Sequence, residues 1–255
     1  MGDFFMKYFW NYLLIIVFIG ICLFATPFKY FSEKSIALNL SGDYDATNKE
    51  IDGSNTKKYL ALTFDDGPSK YTEKIVALLK EYDYHATFFV LGTKLGENNK
   101  DILQMVVDNG NELGVHGYSH KSFTKLSLDT VQKEITDTRN LITELTGFTS
   151  TLVRPPYGNI NNKIRSLGYG PYILWNNDSL DWKYRNSKKI YERVIKNVES
   201  GSIILMHDTY STTFEALKLI LPYLKENNYE VVSVSKLYSI YNTELEKTKS
   251  YRYVS

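Results

Sequence analysis

The sequence predicts an α/β protein whose parallel strands close into a (β/α)7-8 barrel, preceded by one N-terminal transmembrane helix. Three observations predict it. Apolar, β-branched runs of strand length alternate with segments of helical periodicity; polar residues able to do chemistry sit where those runs end; and an uncharged stretch of about 20 residues precedes them all.

The elements follow in chain order. Between Phe9 and Phe28 no residue is charged, and about 20 residues at about 1.5 Å each match a hydrocarbon core of about 30 Å. Lys7 before the stretch and Lys29 and Lys34 after it leave its orientation undecided by charge. Phe24-Ala25-Thr26 makes a poor cleavage site, so residues 1–28 are expected to remain as a signal-anchor rather than be removed on secretion. The domain beyond would then sit outside a cell membrane crossed once. Residues 29–58 form a polar spacer with turn residues at Ser41-Gly42-Asp43 and Asp52-Gly53-Ser54-Asn55.

The remaining chain suits one globular domain, 59–241, with a polar tail, 242–255, expected to fray. Strand-like runs occur at Tyr59–Phe64, Ala86–Leu91, Glu112–Val115, Thr151–Arg154, Tyr172–Trp175, Ser202–Met206 and Tyr229–Val234. Ile75, Leu78, Leu79 and Tyr82 mark one helix; Leu128, Val131, Ile135, Ile142 and Leu145 mark another. Barrels of this kind carry their chemistry where strands run into loops, and Asp65, Asp66, His116, His120, Arg154, Asp181 and His207 stand at such positions.

Composition narrows the function. With 30 Lys plus Arg against 29 Asp plus Glu there is no basic field for nucleic acid, and no protein partner is implied. The 21 Tyr, 13 Phe and 3 Trp suit a core, and also sugar stacking. Cys22 is the only cysteine, so any metal in the domain must be held by His, Asp or Glu.

Five segments carry candidate chemistry. Asp65-Asp66-Gly67-Pro68 sets two acids at a strand end, where mutual repulsion calls for a cation or leaves one acid free as a base; capping of a following helix is the plainer alternative. His116-Gly117-Tyr118-Ser119-His120 spaces two imidazoles so that a helical turn would aim both at one ion. Arg154-Pro155-Pro156-Tyr157-Gly158 places a stiffly held guanidinium that can orient a carboxylate. Asp178-Ser179-Leu180-Asp181-Trp182 and Leu205-Met206-His207-Asp208 are weak singly. His85 matches no motif and reads as structural.

Taken in this order, the five segments resemble the polysaccharide deacetylase family, also called the NodB-homology domain or carbohydrate esterase family 4, over about Tyr59–Leu237. The resemblance implies a distorted (β/α)7-8 barrel of NodB type and one divalent cation, zinc first and Co2+, Ni2+ or Mn2+ as alternatives, held by Asp66, His116 and His120. Such a cation lowers the pKa of bound water toward ~7 and polarises a carbonyl. It also implies Asp65 as base oriented by Arg154, the Tyr157 backbone N–H as oxyanion donor, His207 as acid paired with Asp181, and Trp182 and Leu205 around the acetyl methyl. The implied substrate is N-acetylglucosamine in a surface polysaccharide, peptidoglycan foremost. Chitin oligomers, an exopolysaccharide and the O-acetyl esters of xylan remain open, as does a catalytically inactive sugar-binding protein. Gly117 departs from the usual Ser or Thr after the first histidine, which predicts a looser metal site unless Ser119 substitutes.

Overall fold

The computed structural model describes residues 57–255. The expected anchor, and all but the end of the expected spacer, lie outside them. Among the described residues no helix is long and apolar enough to cross a membrane.

The sheet is built around β1 (Lys58–Gly67), whose sequence alternates with a period of two. Leu60, Leu62 and Phe64 enter the larger core cluster, while Ala61 belongs to a second, smaller one. Strands β2 (Thr87–Val90) and β6 (Ile203–His207) flank β1 in parallel, β3 (Glu112–Val115) lies beyond β2, and β5 (Asn177–Asp178) beyond β6. β7 (Tyr229–Val231) pairs with the first residues of β1. Past β3 the sheet continues only through single bridges at Val153 to β4 (Tyr172–Ile173), which pairs with β8 (Ser250–Tyr251).

Helices follow most strands: α1 (Thr72–Glu81), α2 (Lys100–Asp108), α3 (Leu128–Thr146), α4 (Asn162–Arg165), α5 (Asp181–Tyr184), α6 (Ser187–Lys196), α7 (Ser211–Glu226) and α8 (Val234–Ile240). α3 shows why. Val131, Ile135, Thr138, Ile142 and Leu145 recur every three or four residues and are buried; the Ser127 hydroxyl caps the start by accepting from the Thr130 N–H; Gly147 ends it at φ 70°. Leu128, expected on the same face, is exposed. A Phe or Leu buried on such a face stabilises by about 1.5–3 kcal/mol, and Phe64 and Phe88 stack 5.0 Å apart between β1 and β2.

Three expectations are corrected. The run Thr151–Arg154 supplies one bridged residue, not a strand, because Pro155 and Pro156 follow without N–H donors. No helix separates β4 from β5, so the regular alternation fails there. The carbonyls of Ile173 and Leu174 near that break accept from the Arg154 guanidinium at 3.1 Å each. Finally, residues 242–255 do not fray: β8 pairs with β4, Tyr253 bridges Ser202, and Val254 is buried in the smaller core. Polarity of sequence concealed this, since two-residue pairings need no apolar run.

Candidate active site

Asp65 and His207 are register partners across β1 and β6, so both side chains leave the same face of the sheet at its C-terminal edge. A regular strand would send Asp66 to the opposite face. A register irregularity between Asp65 and Gly67, with Asp66 in the left-handed region at φ 71°, brings it round to the same rim. Consequently Asp65 Oδ2 and Asp66 Oδ1 each lie 3.5 Å from one atom, His116 Nε2. Neither acid caps α1, whose first turn is held by Ser69 and Thr72.

The histidine pair is not on a helical turn, as its spacing suggests. It spans a loop after β3 that Gly117 at φ 80° and His120 at φ 60° twist back on itself. One oxygen of the Glu134 carboxylate accepts from the backbone N–H of Tyr118 (2.7 Å) and Ser119 (2.8 Å), and the other from the Ser119 hydroxyl (2.5 Å). Ser119 therefore fixes the loop and does not supply the hydroxyl missing at Gly117. A Cβ at Gly117 would sit 3.1 Å from the Phe123 ring and 3.3 Å from Glu134, so this loop is shaped around glycine.

The residues fit a divalent cation. One ligand atom from each of Asp66, His116 and His120 lies within 4.8 Å of the others. His116 Nδ1 donates to the Arg154 carbonyl at 2.8 Å, which leaves the Nε2 lone pair facing the acids. Burial lowers the His120 pKa, favouring the neutral ligand form over the opposing pull of Asp66. Asp66 Oδ1 is buried without a hydrogen-bond partner among the described residues, as an oxygen reserved for a cation would be.

Arg154 is fully buried and spends its donors in the protein interior: on Asp65 Oδ1 (2.8 Å), the Thr63 hydroxyl (2.7 Å) and the two β4-end carbonyls. Its guanidinium also stacks 4.1 Å from the Phe89 ring. Burial works against its charge and Asp65 opposes that loss.

Opposite, His207 Nδ1 meets Asp181 Oδ1 at 2.7 Å. Asp181 is buried and also accepts from the His207 N–H, the Trp182 N–H and the Thr213 hydroxyl. Burial disfavours the His207 imidazolium, but the hydrogen bond and charge of Asp181, with Asp65 and Asp66 behind, outweigh it and push the pKa to about 9. Trp182 and Leu205 line the same cavity of about 360 Å³ as Asp65, Asp66, His116, His120, Tyr157 and His207. Tyr157 stands there at φ 62°, its ring centroid 4.7 Å from that of His120. All ten expected site residues thus converge on one rim. Away from it, His85 bonds the Asn109 carbonyl.

The model of the family described as polysaccharide deacetylase matches residues 52–170. A peptidoglycan-N-acetylglucosamine deacetylase of Bacillus cereus is 35% identical over 192 residues, covering 72% of this chain and 89% of that one. The chain belongs to the polysaccharide deacetylase family. Another family member, the peptidoglycan-N-acetylmuramic acid deacetylase PdaC of Bacillus subtilis, is 42% identical over 190 residues, 74% of this chain but only 40% of PdaC. A family 4 acetyl xylan esterase from Clostridium thermocellum, solved with a cobalt ion, superposes with a TM-score of 0.74 at 30% identity, covering 77% of this chain and 99% of that one.

Sequence reasoning missed the residues that hold this deacetylase-family site in shape. Glu134, Thr138 and Val131 share the buried stripe of α3, and an acid on an apolar stripe was the available signal for Glu134. Asp208, buried and hydrogen-bonded by the Thr72 hydroxyl, fills the space where a Cβ at Gly67 would be, and its backbone carbonyl accepts from Ser69. It ties the end of β1 to the end of β6, and burial pushes its pKa to about 7. Trp175, Asp178 and Tyr210 complete the cavity lining.

Proposed function

We propose that this chain hydrolyses N-acetyl groups from N-acetylglucosamine residues of a cell-surface polysaccharide, peptidoglycan foremost, using one divalent cation. The observation that carries the reading is the pairing of two opposite acid–base units across one cavity: Asp65 fixed by Arg154, and His207 fixed by Asp181, with the Asp-His-His cluster between them. The peptidoglycan assignment is supported by the relatives named from Bacillus subtilis and Bacillus cereus.

In this reading Asp66, His116 and His120 hold the cation, zinc by its donor set, which activates water and polarises the acetyl carbonyl when bound. Asp65 takes a proton from the attacking water, oriented by Arg154. The Tyr157 backbone N–H faces the oxyanion, and Trp182 and Leu205 enclose the methyl group. His207 gives its proton to the departing nitrogen as the C–N bond breaks, leaving acetate and a free amine. A pKa of about 9 keeps that proton available at neutral pH. The apolar stretch Phe9–Phe28 supports a membrane-anchored domain working outside the cell.

The test measures amine and acetate release from N-acetylglucosamine oligomers and from peptidoglycan by the full chain, with zinc, with chelator, and in Asp65→Asn. Zinc-dependent release lost with chelator and in the variant is expected. Release from acetylated xylan alone would transfer the site to ester hydrolysis, and bound sugar without turnover would make it a lectin.

A further inference from the structure

Beside the catalytic cavity lies a larger one of about 620 Å³, lined by His120, Lys121, Ser122, Lys125, Tyr157 and Asn159 among others. His120 and Tyr157 line both chambers, so the two rings form a shared wall. The second chamber therefore adjoins the first along these two rings.

The second chamber carries two lysines and no acid. Lysines and arginines nearly equal acids over the whole chain, yet no carboxylate lines this cavity. Lys121 and Lys125 are exposed, and like most lysines of the described residues neither joins an ion pair, so both charges are free to meet a ligand. The rest of the lining is uncharged, with Leu126 and the Tyr157 ring beside one polar patch: the Asn159 side-chain amide donates to the buried Ser122 hydroxyl at 3.2 Å, and that hydroxyl pairs with Thr124 at 3.1 Å. Two ammonium groups with no internal anion raise the local concentration of an anionic ligand, and they act as point charges that tolerate more than one geometry.

We infer that this chamber is a subsite for a carboxylate carried on the glycan strand beside the reacting acetamido group. The inference rests on the deacetylase reading and deepens it, because neutral polymers of N-acetylglucosamine or xylose carry no anion for the two lysines to attract. The carboxylate belongs to an acidic sugar or to a peptide attached to one; both present the same group to Lys121 and Lys125.

The experiment uses the full chain with zinc and three oligosaccharides of equal length: neutral N-acetylglucosamine, the alternating oligomer with free lactyl carboxylates, and that oligomer bearing peptides. The wild type is compared with Lys121→Gln/Lys125→Gln. The ratio of kcat/KM on acidic over neutral substrate is expected to fall about 3- to 10-fold in the variant, through KM, as two solvent-exposed charge contacts warrant. Raising the salt should erode the wild-type ratio in the same direction. The two acidic substrates tell which source of carboxylate is preferred. An acid-to-neutral ratio equal in both proteins overturns the inference. If no substrate turns over, the deacetylase reading fails separately, and calorimetric binding of the acidic oligomers decides: weaker binding to the variant upholds the subsite, equal binding sinks it.

Discussion

Asp181→Asn should move the basic limb of the pH–rate profile. Asp181 meets four donors, two on each oxygen: His207 Nδ1–H and the Trp182 N–H on Oδ1, the His207 N–H and the Thr213 hydroxyl on Oδ2. An asparagine turns one of those oxygens into an NH2 that faces a donor, whichever way it is flipped. The charge and hydrogen bond that hold His207 at about 9 disappear, while the burial that disfavours its imidazolium remains. Falling back to the ordinary 6.5 removes ~3 kcal/mol of preference for the protonated ring, and burial takes it further. At pH 7 the protonated fraction then drops from nearly all to about a quarter or less. Disorientation of the imidazole adds to this, for a total loss in kcat of about 10²–10⁴. The assay is acetate release with saturating zinc from pH 5 to 10, recording kcat separately from kcat/KM. A basic limb above neutrality in wild type that falls by about two pH units in the variant is expected; a uniformly slower variant with its limb unmoved would refute the pairing as the source of His207's acidity.

Arg154→Met should cost about 3–5 kcal/mol in chemical denaturation, because Asp65, Thr63 and two carbonyls lose their buried donor. Gly117→Thr should lower stability by about 1–2 kcal/mol without tightening zinc binding by calorimetry, since φ 80° and the Phe123 ring oppose a branched side chain. Asp208 carries a folded-state pKa raised to about 7, so its contribution is fully present below its unfolded value near 4 and is lost as pH rises through about 7. In metal-free protein, Asp208→Asn should therefore flatten the decline of stability between pH 4 and 8 that urea titrations show in wild type, by up to ~4 kcal/mol. Asp66→Ala should abolish stoichiometric zinc uptake, whereas Asp65→Asn should retain it.

Much of this was legible because the periodicity was strong. β1, β2, β3, β6 and β7 are apolar runs bounded by turns, and residues at or just past the C-terminal ends of β1, β3 and β6 meet on one rim, as ligand sites of parallel α/β sheets do. What stayed hidden depended on single dihedral angles or on side chains standing in for backbone. The bulge that turns Asp66 beside Asp65 leaves no trace in periodicity. The loop that carries His116 and His120 mimics a helical spacing although Gly117 and His120 bend it otherwise. β5 and β8 are two residues each, too short for any alternation to register. The gap in strand alternation is bridged by Arg154, which the sequence presents only as a charge before two prolines.

That arginine couples the evolutionary fate of the site to the survival of the fold. A chain that drifts to alanine at Asp65 gives up the proposed base, but it also strands a guanidinium in the protein interior with no other ion-pair partner among the described residues. Descendants that give up the chemistry must then neutralise position 154 or recruit a substitute acid, and each intermediate on the way folds less well. The nucleus of the active site is thereby protected against casual decay even in a lineage for which its activity has ceased to matter.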